Sequence, residues 1–354
     1  MTDALAANTT LVAPGAPRAD VSSVAVTTTV APGLAKHRLL APRALQRGDT
    51  IGVIQPSLSP RESRVRRGVR ALERAGFTVR LDPDLFVPRR FNRREDARRA
   101  ESLMALWSDP AVAGLIAGTG GYGAVRLLPY LDPEVFRRNP KVLIGYSDVT
   151  ALHLWLYRFA HLRTFHGPTL DDLLSVRVPT LASLVAAVTT PRPDTRLGEG
   201  VARAVRPGRA VGPLVGGNLS LVQQSIGTPY EVPVDGAILF LEETKDPMSV
   251  ADERLLHLRM SGLLRRASGV VFGHLSLDRS EKDEFEDFLV DLVSDLGVPV
   301  LMDFPAGHKF PNLTLPHGTE VELVVGAESG GGLGGLGGWL RYREDALITS
   351  HAAA

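Results

Sequence analysis

A serine, a pair of glutamates and a histidine stand where side chains can do chemistry. In Lys141-Val142-Leu143-Ile144-Gly145-Tyr146-Ser147-Asp148-Val149-Thr150 an apolar run of strand character stops at a glycine, and a serine follows on the turn. Asp148 and Thr150 are good helix openers, and Ala151, Leu152, Trp155, Leu156 and Phe159 continue at helical spacing. Strand, sharp turn and helix lift an Oγ out of a sheet, beside backbone N–H groups that have no intrahelical partner. A serine held that way is a nucleophile when a base and oxyanion donors stand next to it. The plainer alternative is that Ser147 only caps the helix. Glu242 and Glu243 end the apolar run 238–241. Two carboxylates there either meet water or orient a histidine, because burying them without partners is costly. His308 lies in Phe304-Pro305-Ala306-Gly307-His308-Lys309-Phe310-Pro311-Asn312, where prolines, a glycine and an asparagine predict a rigid loop. A histidine fixed in such a loop suits a general base. Among the nine histidines, His166, His274 and His317 compete for the role.

The chain order Ser, Glu, His is the order of α/β-hydrolase triads. Gly118-Thr119-Gly120-Gly121-Tyr122-Gly123 follows a predicted strand and matches G-x-G-x-x-G. Three readings stay open for it: a dinucleotide-binding turn, glycines that bring backbone N–H groups to an oxyanion, and a tight strand-to-helix turn. Residues 61–99 hold 13 Arg against 6 Asp plus Glu, a local net of +7. They form either two solvated helix faces or an electropositive rim for an anionic ligand. No histidine pair has metal-ligand spacing with carboxylates nearby, so no metal site is expected.

These groups need elements to hold them. Strands are predicted at 49–54, 77–81, 113–117 and 142–145, with helices at 65–75, 94–108 and 124–131 between them. That alternation predicts a parallel sheet covered on both faces. From 176 to 208 the chain turns rich in Pro, Arg, Thr and Gly, a domain boundary. Beyond it, strands are predicted at 237–241, 269–273, 298–302 and 320–324 and an amphipathic helix at 281–296. Gly330 to Gly338 is nearly all glycine, a flexible hairpin loop before a last strand at 339–342. The expected organisation is a disordered leader (1–40), an α/β domain with the serine (41–185), a linker (186–209), a domain with the glutamate and histidine (210–345), and a tail (346–354).

Composition sets limits. A chain of 354 residues has room for two domains and a large core. A net charge of +1 argues against a nucleic-acid or membrane-surface binder. No cysteine means no disulfide, no thiolate catalysis and no cysteine-bound metal. No stretch approaches the roughly 18 apolar residues of a membrane span. Residues 1–40 have neither a basic start nor an apolar core, so no signal peptide is read there, and the default location is cytoplasmic.

Gly120-Gly121-Tyr122-Gly123, Gly145-Tyr146-Ser147-Asp148, His166-Gly167-Pro168, Gly216-Gly217-Asn218-Leu219, Leu239-Phe240-Leu241-Glu242-Glu243 and Gly307-His308 with Asn312 to Gly318 form an ordered series. It resembles the LD-carboxypeptidase family of serine peptidases from about Arg43 to Val325. The resemblance implies a flavodoxin-like or glutamine-amidotransferase-like α/β domain plus a smaller β-rich α+β domain, with the active site between them. It implies Ser147 as nucleophile, Glu242 as triad acid and His308 as base. The backbone N–H groups of Asp148 and Gly121 become the oxyanion hole, and Gly120, Tyr122, His166 and Asn218 meet substrate. No cofactor or metal is implied, and homodimers are common in the family. One branch of the family removes D-alanine from muropeptide tetrapeptides during recycling, and the other cleaves aminoacyl-nucleotide antibiotics. The motif at His166 leans toward the first branch. Departures are Thr119 where an arginine is expected, and Glu243 where aspartate is commoner. A non-catalytic nucleotide-binding protein is the remaining alternative. An arginine from 61–99 is expected to hold the free carboxylate of the leaving residue.

Overall fold

Short apolar runs bounded by glycine or polar turns have no solvent face, and they belong in the middle of a parallel sheet. The computed structural model describes residues 39–173, 178–244, 247–276, 282–328 and 336–349. Its first sheet is built from β1 (Thr50–Ile54), β2 (Thr78–Leu81), β3 (Gly114–Ala117), β4 (Val142–Gly145) and β5 (Thr164–His166). These strands run parallel in the order β2-β1-β3-β4-β5. That is the flavodoxin-like order, which reverses between β1 and β3. A crevice opens outside the carboxyl ends of the strands at such a reversal.

Helices α1 (Glu62–Arg74), α2 (Arg93–Ser108), α3 (Pro133–Arg138), α4 (Thr150–Trp155) and α5 (Val178–Thr189) cover the sheet. Asn92 caps α2 by accepting the Glu95 N–H at 3.0 Å, and Glu95 and Asp96 favour its positive end. Val65 and Leu72 of α1 share a core with Leu184 and Val188 of α5. Leu103 and Trp107 of α2 share another with Phe136 and Trp155.

The second half forms a closed barrel. Its strands are β6 (Arg203–Arg206), β7 (Gly208–Asn218), β8 (Ile238–Thr244), β9 (Gly269–Ser276) and β10 (Val300–Met302), and, after β11 (Leu315–His317), β12 (Glu320–Glu328) and β13 (Leu336–Tyr342). The barrel order is β10-β6-β13-β12-β7-β8-β9. Leu214, Phe240, Val271, Leu301 and Leu323 fill it. α6 (Leu219–Ser225), α7 (Met248–Met260), α8 (Leu263–Arg266) and α9 (Lys282–Val293) pack outside. No helix among the described residues is long and apolar enough to cross a membrane. The α/β class with a second, β-rich half is the observed architecture.

Strand β11 leaves the barrel and joins the first sheet. It pairs antiparallel with β5, Leu315 against His166 and His317 against Thr164. The loop carrying His308 is therefore anchored in the barrel by β10 and in the first sheet by β11.

Several expectations change. The 186–209 stretch is not a bare linker, because α5 runs to Thr189, Leu197 bridges Leu340 and β6 is a barrel strand. The 346–354 segment is not all tail: Ala346 and Leu347 are buried in the first sheet's core and Ile348 bridges Arg43. The helix expected at 124–131 is two separate 3-10 turns, Ala124–Arg126 and Leu128–Tyr130, that meet at Leu127, with Pro129 inside the second. Of the glycine-rich hairpin, 330–335 lies outside the described residues, whereas Gly337 and Gly338 pair in β13. The leader expected over 1–40 lies outside the described residues as far as 38, and Leu40 bridges Leu162.

Candidate active site

β4 is buried throughout and ends at Gly145. The chain then turns so sharply that Ser147 takes φ 60°, a conformation that non-glycine residues rarely adopt. Such a backbone costs on the order of 1–3 kcal/mol and persists only where its surroundings hold it. They do so through Asp148. Its buried carboxylate accepts the Ser57 hydroxyl at 2.6 Å and the Ala124 N–H at 2.8 Å. These bonds tie the serine turn to the loops after β1 and β3. Asp148 is the second residue of a 3-10 turn, Ser147–Val149, and so its own N–H has no intrahelical partner.

The glycine-rich loop rides directly over the serine. A Cβ on Gly120 would lie 3.1 Å from Ser147 Cβ and 3.3 Å from its Oγ, tight enough that a larger residue would push the loop and the serine apart by a few tenths of an ångström. Buried arginines hold that loop and the loop after β1 from behind. Arg89 donates to the carbonyls of Pro56 (3.1 Å), Tyr122 (3.3 Å) and Gly123 (3.0 Å), and pairs with Asp96. Arg99 donates to the carbonyls of Gln55 (3.2 Å) and Ser57 (2.9 Å). Part of the arginine-rich stretch is thus a brace, not a rim.

The triad candidates meet although 161 and 66 positions separate them in sequence. His308 Nδ1 donates to Glu242 Oε2 at 2.6 Å, and its Nε2 accepts from Ser147 Oγ at 3.2 Å. The Tyr146 ring packs against the imidazole with centroids 4.7 Å apart. Gly307 has φ 113°, and a Cβ there would come within 2.7 Å of Glu242 Oε2. The loop is fastened by Asn312, whose Oδ1 accepts the Gly307 N–H at 2.9 Å. Thr180 and Ser183 of α5 accept the N–H groups of Asn312 and Thr314, each at 3.0 Å.

Glu242 is fully buried. Burial pushes its carboxyl up, and the hydrogen bonds from His308 and Asn218 pull against that. Burial by itself would lower His308. The Glu242 hydrogen bond and charge outweigh it and hold the imidazole above the ordinary histidine range. Glu243 faces the other way. It accepts from Asn218 Nδ2 (2.9 Å), Ser220 N (3.0 Å) and Arg254 (3.2 Å). Burial raises its carboxyl, but these partners bring it below the usual range.

A cleft of about 550 Å³ opens at Ser147 and His308. Gly120, Gly121, Tyr146, Arg61, Arg64, Asp171 and Asp172 are among the residues lining it. The structure thus brings together Ser147, Glu242, His308, Asp148, Gly120 and Gly121. It does not bring the other three expected substrate contacts there. Asn218 is buried, caps α6 and steadies Glu242 and Glu243. His166 is buried on Phe240, in a group with His153 and His317. Tyr122 is exposed and turns to Phe91, with centroids 5.9 Å apart. Asp171 and Asp172 were not anticipated. The readable signal was Thr169-x-x-Asp172, the spacing of the capping box seen here. The dinucleotide reading of Gly118 to Gly123 loses its support, since only a three-residue 3-10 turn follows it instead of a helix.

Comparison with known proteins fits this geometry. Residues 51–167 match the LD-carboxypeptidase N-terminal domain and residues 211–323 match the LD-carboxypeptidase C-terminal domain. The probable murein peptide carboxypeptidase of Bacillus subtilis is 31% identical over 294 residues, covering 80% of this chain and 91% of that protein. The microcin C7 self-immunity protein of Escherichia coli is 27% identical over 323 residues, covering 81% and 93%. The crystal structure of muramoyltetrapeptide carboxypeptidase from Oxalobacter formigenes superposes with a TM-score of 0.72 at 27% identity, covering 84% and 99%.

Proposed function

The chain belongs to the LD-carboxypeptidase family of serine-type peptidases, and we propose that it removes the terminal D-alanine from a peptidoglycan tetrapeptide in the cytoplasm. The observation that carries this reading is the continuous chain from Ser147 Oγ through His308 to buried Glu242, set at the mouth of the cleft. Ser147 attacks the carbonyl on the L-configured side of the bond. His308 Nε2 takes the hydroxyl proton, and Glu242 fixes the tautomer and stabilises the imidazolium. The N–H groups of Asp148 and Gly121 receive the oxyanion, each donor contributing about 3 kcal/mol. His308 then returns its proton to the departing D-alanine amine, and water hydrolyses the acyl-enzyme. Of the arginines in 61–99, Arg61 and Arg64 line the cleft, where the Arg64 charge acts on Asp171. They are our candidates for the free carboxylate.

The similarity to a microcin self-immunity protein favours a second reading, hydrolysis of an aminoacyl-nucleotide conjugate. The two are separated by a competition experiment. Equimolar disaccharide tetrapeptide and a seryl- or aspartyl-nucleotide amide are incubated with enzyme and followed by mass spectrometry. Loss of D-alanine with the conjugate intact supports the carboxypeptidase reading. Cleavage of the conjugate alone replaces it with the amidase.

A further inference from the structure

Strand β9 bulges opposite Glu242. Leu241 pairs with Phe272 and Glu243 with Leu275, so Gly273 and His274 together oppose the one residue between them. Bulges re-aim side chains, often beside active sites. The His274 ring reaches the loop that carries His308, with Nδ1 3.1 Å from the Lys309 backbone nitrogen. A backbone N–H can only donate, so Nδ1 accepts, and the proton of the neutral ring is on Nε2. The same loop rides along β9. The Phe304 N–H donates to the Phe272 carbonyl at 3.0 Å, and the His274 N–H donates to the Ala306 carbonyl at 2.9 Å. A Cβ on Gly273 would stand 2.6 Å from that Ala306 oxygen, so the close approach needs glycine.

The residues on either side of His308 are thus both fastened. Asn312 accepts the Gly307 N–H at 2.9 Å, and His274 accepts the Lys309 N–H. Burial, and then the Lys309 charge, lower His274 to about 4; His308 adds to this and Asp303 opposes it. The ring is therefore neutral at neutral pH and keeps its acceptor. His274 is not among the residues lining the cleft, and Ser147 Oγ bonds His308 instead. The rival base suggested by the sequence has a different task.

We propose that His274 is a positioning residue, which acts through the Lys309 N–H to hold the His308 ring in line between Glu242 and Ser147. The inference rests on His308 being the base.

The test compares His274→Phe, which keeps a ring and removes the acceptor, with His274→Asn, whose Oδ1 takes the place of Nδ1. Two rates are followed. One is D-alanine release from a disaccharide tetrapeptide. The other is labelling of Ser147 by a fluorophosphonate, which needs the activated serine but no peptide. In the phenylalanine variant kcat should fall roughly tenfold with KM held within about twofold, short of the roughly 10²-fold of a 1 Å misplacement. The acid limb of its labelling rate should move to lower pH, because the Glu242 contact that raises His308 loosens. Asparagine should restore both the rate and the limb. Full activity in the phenylalanine variant overturns the inference, and so does an asparagine variant as slow as phenylalanine. If phenylalanine prevents folding, the ring nitrogen NMR shifts of His274 in wild type decide. An unprotonated Nδ1 at about pH 7 supports the clamp, and a protonated Nδ1 overturns it. Wild type that is labelled but releases no D-alanine overturns the carboxypeptidase reading, and the labelling rates of the two variants then decide for or against His274.

Discussion

At the scale of single residues, the proposed catalysis rests on the hydrogen bonds that hold His308 between Glu242 and Ser147. Glu242→Gln removes the carboxylate that fixes the tautomer, and kcat is expected to fall on the order of 10⁴-fold with the fold intact. The pH dependence follows from the same contact. The proposed mechanism needs neutral His308, and the Glu242 hydrogen bond and charge hold its pKa above the ordinary histidine range. The acid limb of kcat/KM therefore lies above the unperturbed value of about 6.5. In Glu242→Gln burial is no longer opposed, so the residual activity should show a limb moved to lower pH. An unmoved limb would mean that His308 is not the group titrating. Gly120→Ala tests the oxyanion loop. The added methyl would stand 3.3 Å from Ser147 Oγ, so the serine or the loop must give by a few tenths of an ångström, and kcat should fall, by less than the roughly 10²-fold of a 1 Å misplacement, with little change in melting temperature. That Ser147, Glu242 and His308 stand at turns and strand ends was legible in the sequence, because each ends a strand or sits in a loop stiffened by proline and glycine; their meeting is seen only in the structure. His166 and Asn218, expected to meet substrate, are buried and are not among the residues that line the cleft. A motif gives a residue type at a spacing, but not which side of a strand faces the cleft.

At the scale of elements, the loop between β10 and β11 decides the geometry. Its two ends belong to different sheets, and α5 accepts two of its N–H groups. Asn312→Ala leaves the buried Gly307 N–H without its acceptor, a loss of about 1–3 kcal/mol. The expected outcome is a lower denaturation midpoint together with a fall in kcat, since the freed loop carries His308. A change in stability with kcat untouched would refute the role given to this loop. The strands β1, β3 and β4 were readable because each is apolar, apart from Thr50 at the start of β1. β11 was not. Three residues with a proline in the middle carry no periodic signal, and only pairing with β5 makes them a strand. Helix α5 was hidden for a related reason. It opens on proline-bearing Val178-Pro179 and begins at a stretch read as a boundary.

At the scale of the whole molecule, β11 joins the two sheets through buried histidines. His153 lies 5.6 Å from His317 and 6.3 Å from His166, ring centre to ring centre. Burial lowers His153 to about 4 and takes His166 and His317 well below the ordinary value. All three are neutral in the folded chain and take up protons in the unfolded chain below about pH 6.5. A depressed folded pKa gives stability that is present above 6.5 and is lost as pH falls. Each histidine contributes a slope of about 1.4 kcal/mol per pH unit between its unfolded and folded values, and the three together about 4. Denaturant unfolding from pH 7 to pH 4 should show that decline, and His317→Gln should reduce the slope by one proton's worth. An unchanged slope would remove His317 from the device. The two-sheet architecture was legible from the alternation of strands and helices. That one short strand crosses between the sheets was not, because it depends on contacts far apart in sequence. The central claim is that Ser147, activated across these sheets, cleaves the terminal D-alanine. The most direct measurement is mass spectrometry of a disaccharide tetrapeptide incubated with wild type and with Ser147→Ala. Loss of one D-alanine with wild type alone is the predicted result. Equal cleavage by both proteins would contradict the account and leave Ser147 as the first residue of a helical turn and nothing more.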